Sequence, residues 1–183
     1  MSEATLQADE SGDGALIARW QGGDERAATQ LVERYASSLA RFVASLGEPE
    51  VEEVVQDTFV RAFGSLDAFR AESSLKTWLF TIARNLVRDR GRQARRDRLA
   101  VPVAEEHAVS EHDALDGVIA DETEDRVRDA VTRLTRMQRE VFTLRVAEGL
   151  SYKEIATVVG STEGAARVHY HHAMRAIKEL LDE

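Results

Sequence analysis

Cysteine is absent from this chain, and only two prolines interrupt its 183 residues. The first absence excludes disulfides and cysteine-ligated zinc. The second, with Leu, Ala, Arg and Glu abundant, favours helix over sheet. No window is long and apolar enough to span a bilayer. The first residues, Met1 to Asp13, are acidic and polar, whereas a secretory signal needs a basic start and an apolar run. A cytoplasmic protein without membrane insertion is therefore expected. Strand signals, internal repeats, a glycine-rich phosphate loop and a Gly-x-Ser-x-Gly elbow are also missing. Adjacent carboxylates such as Glu52 and Glu53 point in different directions on a helix and make no acid–base pair. The expectation is a non-enzyme with no cofactor.

The net charge of −9 argues at first against a nucleic-acid partner. Its distribution reverses that reading. From Asp97 to Asp125 ten acids face one arginine, Arg98, so this stretch carries the whole imbalance. Lys76 to Arg96 holds seven basic residues and one acid, Asp89. Blocks of opposite sign in one short chain indicate different partners for different segments.

Apolar spacing predicts two all-helical units. In the first, residues 14–97, Leu16, Ile17 and Trp20 form a short turn ending at Gly22-Gly23. Asp24 is placed to cap a helix through Leu31, Tyr35, Leu39 and Phe42. Val51 to Phe63 forms a third stripe, closed by Gly64, and a long helix runs from about Leu75 to Arg96. Trp78, at the apolar start of that helix, reads as packing rather than as a stacking platform. Residues 98–125 lack periodicity and hold Pro102, which reads as a flexible acidic linker. Residues 1–13 form a disordered tail. In the second unit, residues 126–183, Ser151 with Glu154 makes a capping box. A turn at Gly160-Ser161 leads to Thr162, an N-cap for the last helix.

The segment GLSYKEIATVVGSTEGAARVHYHHAMRAI carries the strongest local signal. A short capped helix, a glycine turn and a longer helix make a helix-turn-helix, whose second helix enters a DNA major groove. Ile155, Ala156 and Val159 can then pack on Ala166, Tyr170 and Ile177. Glu163, Arg167, Val168, His169, His171 and His172 remain for the groove or its edges. A plain helical hairpin fits the same binary pattern.

Here a resemblance becomes specific. LTRMQREVFTLRVAEGLSYKEIATVVG resembles the promoter-binding domain of extracytoplasmic-function (ECF, group IV) sigma factors of the sigma-70 family. EVEEVVQDTFVRAF with FRAESSLKTWLFTIARNLVRDRGR resembles their N-terminal domain, in the expected order and spacing. The resemblance implies an all-α fold: residues 14–97 as the sigma region 2 bundle and residues 126–183 as the region 4 helix-turn-helix. It implies as partners the bacterial RNA polymerase core, through the β′ clamp helices and the β flap, promoter DNA, and an anti-sigma factor. Glu53, Gln56, Asp57 and Arg61 would face the polymerase. Arg70, Ser73, Ser74, Lys76, Arg84, Arg88 and Arg92 would hold the −10 element and its melted strand. Thr162, Glu163, Arg167, Val168, His169, His171 and His172 would serve the −35 element.

The last helix departs from the family pattern. An apolar residue followed by Ser, any residue, Gly, Thr, Val, Lys, Ser and Arg is usual. This chain has Ser161, Thr162, Glu163, Gly164, Ala165, Ala166, Arg167, Val168 and His169. The cap, the glycine and one basic position survive, so helix docking is expected but not the base preferences of relatives. His169 and His172 share a face, yet no third ligand is evident, and no metal site is expected. One alternative stays open: a helix-turn-helix regulator that binds DNA without polymerase core. It predicts a symmetric operator footprint by the free protein.

Overall fold

The computed structural model describes residues 12–66, 69, 73–100 and 122–182. The acidic linker lies mostly outside these residues, as do Arg70 and nearly all of the N-terminal tail. Among the described residues there are eight helices and no strand. The all-α expectation therefore holds.

Local chemistry sets most helix ends. Helix α1 (Asp13–Gln21) buries only Leu16 and stops at Gly22-Gly23, where Gly23 has φ +91°. A side chain there would meet the left-handed penalty that glycine avoids. The Asp13 carboxylate, at the end of the expected tail, accepts from Arg34 at 2.7 Å and from the Tyr35 hydroxyl. Helix α2 (Glu25–Ser45) starts at Asp24, whose side chain accepts from the Arg26 amide at 3.0 Å. Arg19 bonds the same carboxylate and holds it below the usual range. Helix α3 (Val51–Gly64) buries Val54, Thr58, Phe59 and Ala62. Helix α4 (Leu75–Ala100) runs beyond the expected end at Arg96. Leu75, Leu79, Phe80, Ala83, Leu86 and Val87 are buried, whereas nearly all of Arg88 to Asp97 is exposed.

In the second half, helix α5 (Glu122–Thr132) precedes α6 (Arg136–Val146), which opens on a capping box of Thr135 and Gln138. Helix α7 (Tyr152–Val159) opens on the expected box of Ser151 and Glu154 and ends at Gly160, φ +65°. Thr162 accepts from the Ala165 amide at 3.2 Å and so caps helix α8 (Glu163–Asp182).

Ile155 and Val159 of α7 pack in one core with Ala166 and Tyr170 of α8, as expected. Ile177 does not. It joins Ala130, Leu134 and Ala173 in a separate cluster beneath α5. Eleven residues separate Ala166 from Ile177, about three turns of helix, which carries Ile177 past the end of eight-residue α7.

The two halves are packed against each other. Helix α4 lies on α7, and α2 touches α6. Leu79 and Phe80 of the first half share a contiguous core with Val141, Leu144 and Ile155 of the second. Each such side chain contributes roughly 1.5–3 kcal/mol when fully buried. The polar atoms between the halves are matched: among the described residues no buried side-chain nitrogen or oxygen lacks a hydrogen-bond partner.

Candidate functional surfaces

The first surface is α3 with the groove beside it. Glu53, Gln56 and Arg61 are exposed and Asp57 is half-buried. The four do not act as one row. Arg90, reaching from α4, pairs with Glu53 at 3.1 Å, Glu50 at 3.2 Å, Asp57 at 3.3 Å and Glu48 at 3.7 Å. Glu53 is held below the usual carboxylate range by bonds from Glu50 and Arg90, while contact with Glu53 pushes Glu50 up. Gln56 instead lines an apolar groove of about 550 Å³ between α2 and α3, with Val32, Ala36, Val55, Phe59 and Val60. Val60, at the edge of this groove, is 64% exposed. The groove and the Arg90 hub are absent from the sequence reading. Val60, apolar yet off the inward stripe, is the signal that marks the groove.

The second surface is the start of α4. Ser74 caps the helix, its hydroxyl accepting from the Thr77 amide at 3.1 Å. Ser73 is half-buried beside it. Trp78 packs on the core, its ring 5.0 Å from that of Phe69, which agrees with a packing role. Lys76 donates to the Glu148 carbonyl at 2.7 Å and pairs with its carboxylate at 3.2 Å. Arg84 bonds Glu140 at 2.6 Å. Arg88 and Arg92, further along in four-residue steps, are exposed. Thus Ser74, Lys76 and Arg84 meet acids of the second half, and Arg88 and Arg92 face solvent.

The third surface is α8. Thr162, Glu163, Arg167, Val168, His171 and His172 are exposed and His169 is half-buried. Arg167 pairs with Glu163 at 2.9 Å and lies 5.2 Å over the Tyr152 ring, a cation–π contact that holds it at the α7–α8 junction. Tyr152 in turn packs edge-on against Tyr170, 5.9 Å away. The first two turns of α8 therefore expose a cation, an acid and an apolar side chain. Among the described residues no group of three His, Cys, Asp or Glu is placed to hold a metal ion.

Two family models match these halves in order. Residues 30–97 match Sigma-70 region 2, and residues 124–177 match Sigma-70, region 4. The ECF RNA polymerase sigma-E factor of Haemophilus influenzae is 31% identical over 184 residues, 95% of this chain and 97% of that protein.

The chain belongs to the ECF sigma factors.

The RNA polymerase sigma-H factor of Pseudomonas aeruginosa is 33% identical, covering 92% of this chain and 93% of that one. Among solved structures, the sigma factor RpoE of Bartonella quintana, in complex with the anti-sigma factor NepR, is 30% identical. It gives a TM-score of 0.70 over 84% of this chain and 96% of that one. CnrH, in complex with the cytosolic domain of CnrY, gives 0.65 at 34% identity, over 92% and 96%. As a sigma factor the protein binds core polymerase and directs promoter-specific initiation. The alternative of a regulator that acts without core is not favoured.

Proposed function

We propose that this ECF sigma factor divides initiation among its three surfaces. The α3 face, with Glu53, Gln56, Asp57, Arg61 and the groove edge at Val60, docks on the β′ clamp helices. The basic steps of α4 (Lys76, Arg84, Arg88 and Arg92), with Arg70, Ser73 and Ser74, hold the melted −10 strand. The opening turns of α8, with Thr162, Glu163, Arg167, Val168, His169, His171 and His172, read the −35 duplex, and region 4 leans on the β flap. The observation that carries this reading is the separation of two basic surfaces on two helices, one of them in a capped helix-turn-helix. A helix opening from a capped turn fits a major groove, and a row of guanidiniums fits a phosphate backbone.

No covalent step is needed, because binding energy distributed over opened DNA drives melting. The protein works in the cytoplasm, where the polymerase is, and among the described residues no helix is long and apolar enough to cross a membrane. An anti-sigma factor is a further partner, since the structurally similar RpoE and CnrH are each held in such complexes or with the cytosolic domain of another protein.

The test is run-off transcription with purified bacterial core polymerase, read with permanganate at unpaired thymines. Arg167→Ala should lower promoter occupancy by about 1–3 kcal/mol, with sequence preference changing upstream. Arg84→Ala/Arg88→Ala should leave upstream occupancy intact and slow strand opening. Normal opening by the double variant contradicts the α4 assignment. Unchanged upstream preference in Arg167→Ala contradicts the α8 assignment.

A further inference from the structure

We propose that Val168 reads a thymine of the upstream promoter duplex through its C5 methyl group, in an apolar contact at the centre of the α8 face. This rests on the assignment of α8 to that duplex.

The helix sets the position of Val168. Ala166, Ala173 and Ile177 are the buried residues of α8. At 3.6 residues per turn, Val168 stands on the side of the helix away from all three. It belongs to neither apolar cluster described above and is 51% exposed. Its side chain therefore adds nothing to the core of the free protein, and valine is a poorer helix former than alanine. Around it the face is polar, with Glu163, Arg167, His171, His172 and Arg175 all exposed.

Local geometry makes this valine ready to meet a flat partner. Side chains on a helix lean toward its N-terminus, so the Val168 methyls lie over the turn that holds Gly164. A Cβ at Gly164 would meet no atom within 4 Å, so the space into which Val168 leans is open. Branching at Cβ leaves valine one strongly preferred rotamer in a helix, which holds its methyls in place before any contact forms. Docking then costs little side-chain entropy. Arg167, one residue earlier, pairs with Glu163 at 2.9 Å and lies 5.2 Å over the Tyr152 ring. Charged neighbours of this kind seat a helix on phosphates while the apolar group between them meets the groove floor.

The chemistry of that floor selects the base. In the major groove guanine, adenine and cytosine present only hydrogen-bonding groups, whereas thymine adds a methyl group. Valine neither donates nor accepts, so against guanine O6 and N7 or the cytosine amino group it removes water and replaces none of its bonds. Against the thymine methyl, two apolar groups leave water together. The pattern usual for the family has serine at this position, so the contact belongs to this chain's own sequence.

The experiment uses holoenzyme assembled from the full-length chain and purified bacterial core polymerase. A promoter duplex is selected from a library randomised over the upstream element. Each thymidine of the selected element is then replaced singly by deoxyuridine, which removes only the methyl group, and binding is read by competition gel shift. For the wild type, deoxyuridine at one position should weaken binding about fourfold, the effect of one buried methyl group. Val168→Ala keeps a good helix former and withdraws both γ-methyls. With it, thymidine and deoxyuridine at that position should bind within about 1.5-fold of each other, because the coupled partner is gone. A selected element without a fixed thymine, a wild type indifferent to every replacement, or a sensitivity that Val168→Ala retains in full overturns the proposal. The underlying assignment fails separately, if Arg167→Ala and Val168→Ala each leave the upstream footprint and its sequence preference unchanged.

Discussion

The two helices proposed to face DNA carry the same ion pair in opposite surroundings. On α8, Arg167 meets Glu163 one turn earlier in the same helix, with both side chains more than half exposed. On α4, Arg84 meets Glu140 from the other half of the chain, with the acid sealed from solvent. The first pair is screened and exchangeable, so Arg167 can leave its acid by a rotamer change. The second is desolvated, and Arg84 is released only when a whole helical unit moves. One charge pattern thus gives an open ion pair on α8 and a sealed one on α4.

The sharpest way to break that comparison is to delete the acids. Glu140→Ala leaves Arg84 buried without a counter-ion and should cost about 3–5 kcal/mol in urea unfolding. Next comes the proposed polymerase face. Asp57→Arg should weaken core binding by about 2 kcal/mol, the low end for a charge reversal at an interface, because Arg90 already neutralises part of the acid. Undiminished pull-down of core by folded Asp57→Arg would remove Asp57 from the contact.

A smaller effect concerns Glu154. Burial opposes its charge, yet bonds from the Ser151 hydroxyl and amide and from Thr77 and Ser74 prevail, holding it below its ordinary value of 4.5. A group lowered on folding stabilises above its unfolded value and loses that contribution as pH falls through the folded one. Ser151→Ala should cost about 1 kcal/mol at neutral pH, as for other N-caps. The gap between wild type and variant should narrow in thermal melts as pH falls below the ordinary value of 4.5 and through the lowered folded one. A gap independent of pH would dissociate the cap from the Glu154 charge. The smallest effect belongs to the exposed pair: Glu163→Ala should change stability by less than about 0.5 kcal/mol. A larger loss would mean that α8 is not the open surface described above.

What was legible in the sequence follows the range of the interaction. Asp24, Ser151 with Glu154, Gly160 and Thr162 act on amides or turns within three residues, and each stands where its motif places it. Thr135 with Gln138 has the same signature as Ser151 with Glu154 and escapes the sequence reading although it was equally readable. The Arg90 hub draws acids from 33 and more positions away, and the Glu148 contacts span 72 and 107. No local pattern distinguishes such an acid from one on a solvated face. Glu140 on an amphipathic helix reads as surface, and only the packing of the second half on the first buries it. Helical periodicity likewise assigns Ile177 to an inward face without saying which neighbour it meets.

The chain's three lysines allow the most direct test of the difference between the two surfaces. Lys76 lies in the contact between the halves, while Lys153 and Lys178 are exposed on region 4 and serve as internal references. In the free protein, treated briefly with an amine-reactive acetylating reagent and read by mass spectrometry, Lys76 should react about tenfold more slowly than the other two. Arg41 pairs with Glu148 at 3.2 Å, and Arg41→Glu, which sets a second acid against it, should erase that protection. Equal labelling of all three lysines in the wild-type chain would contradict the packing of the two halves around Lys76.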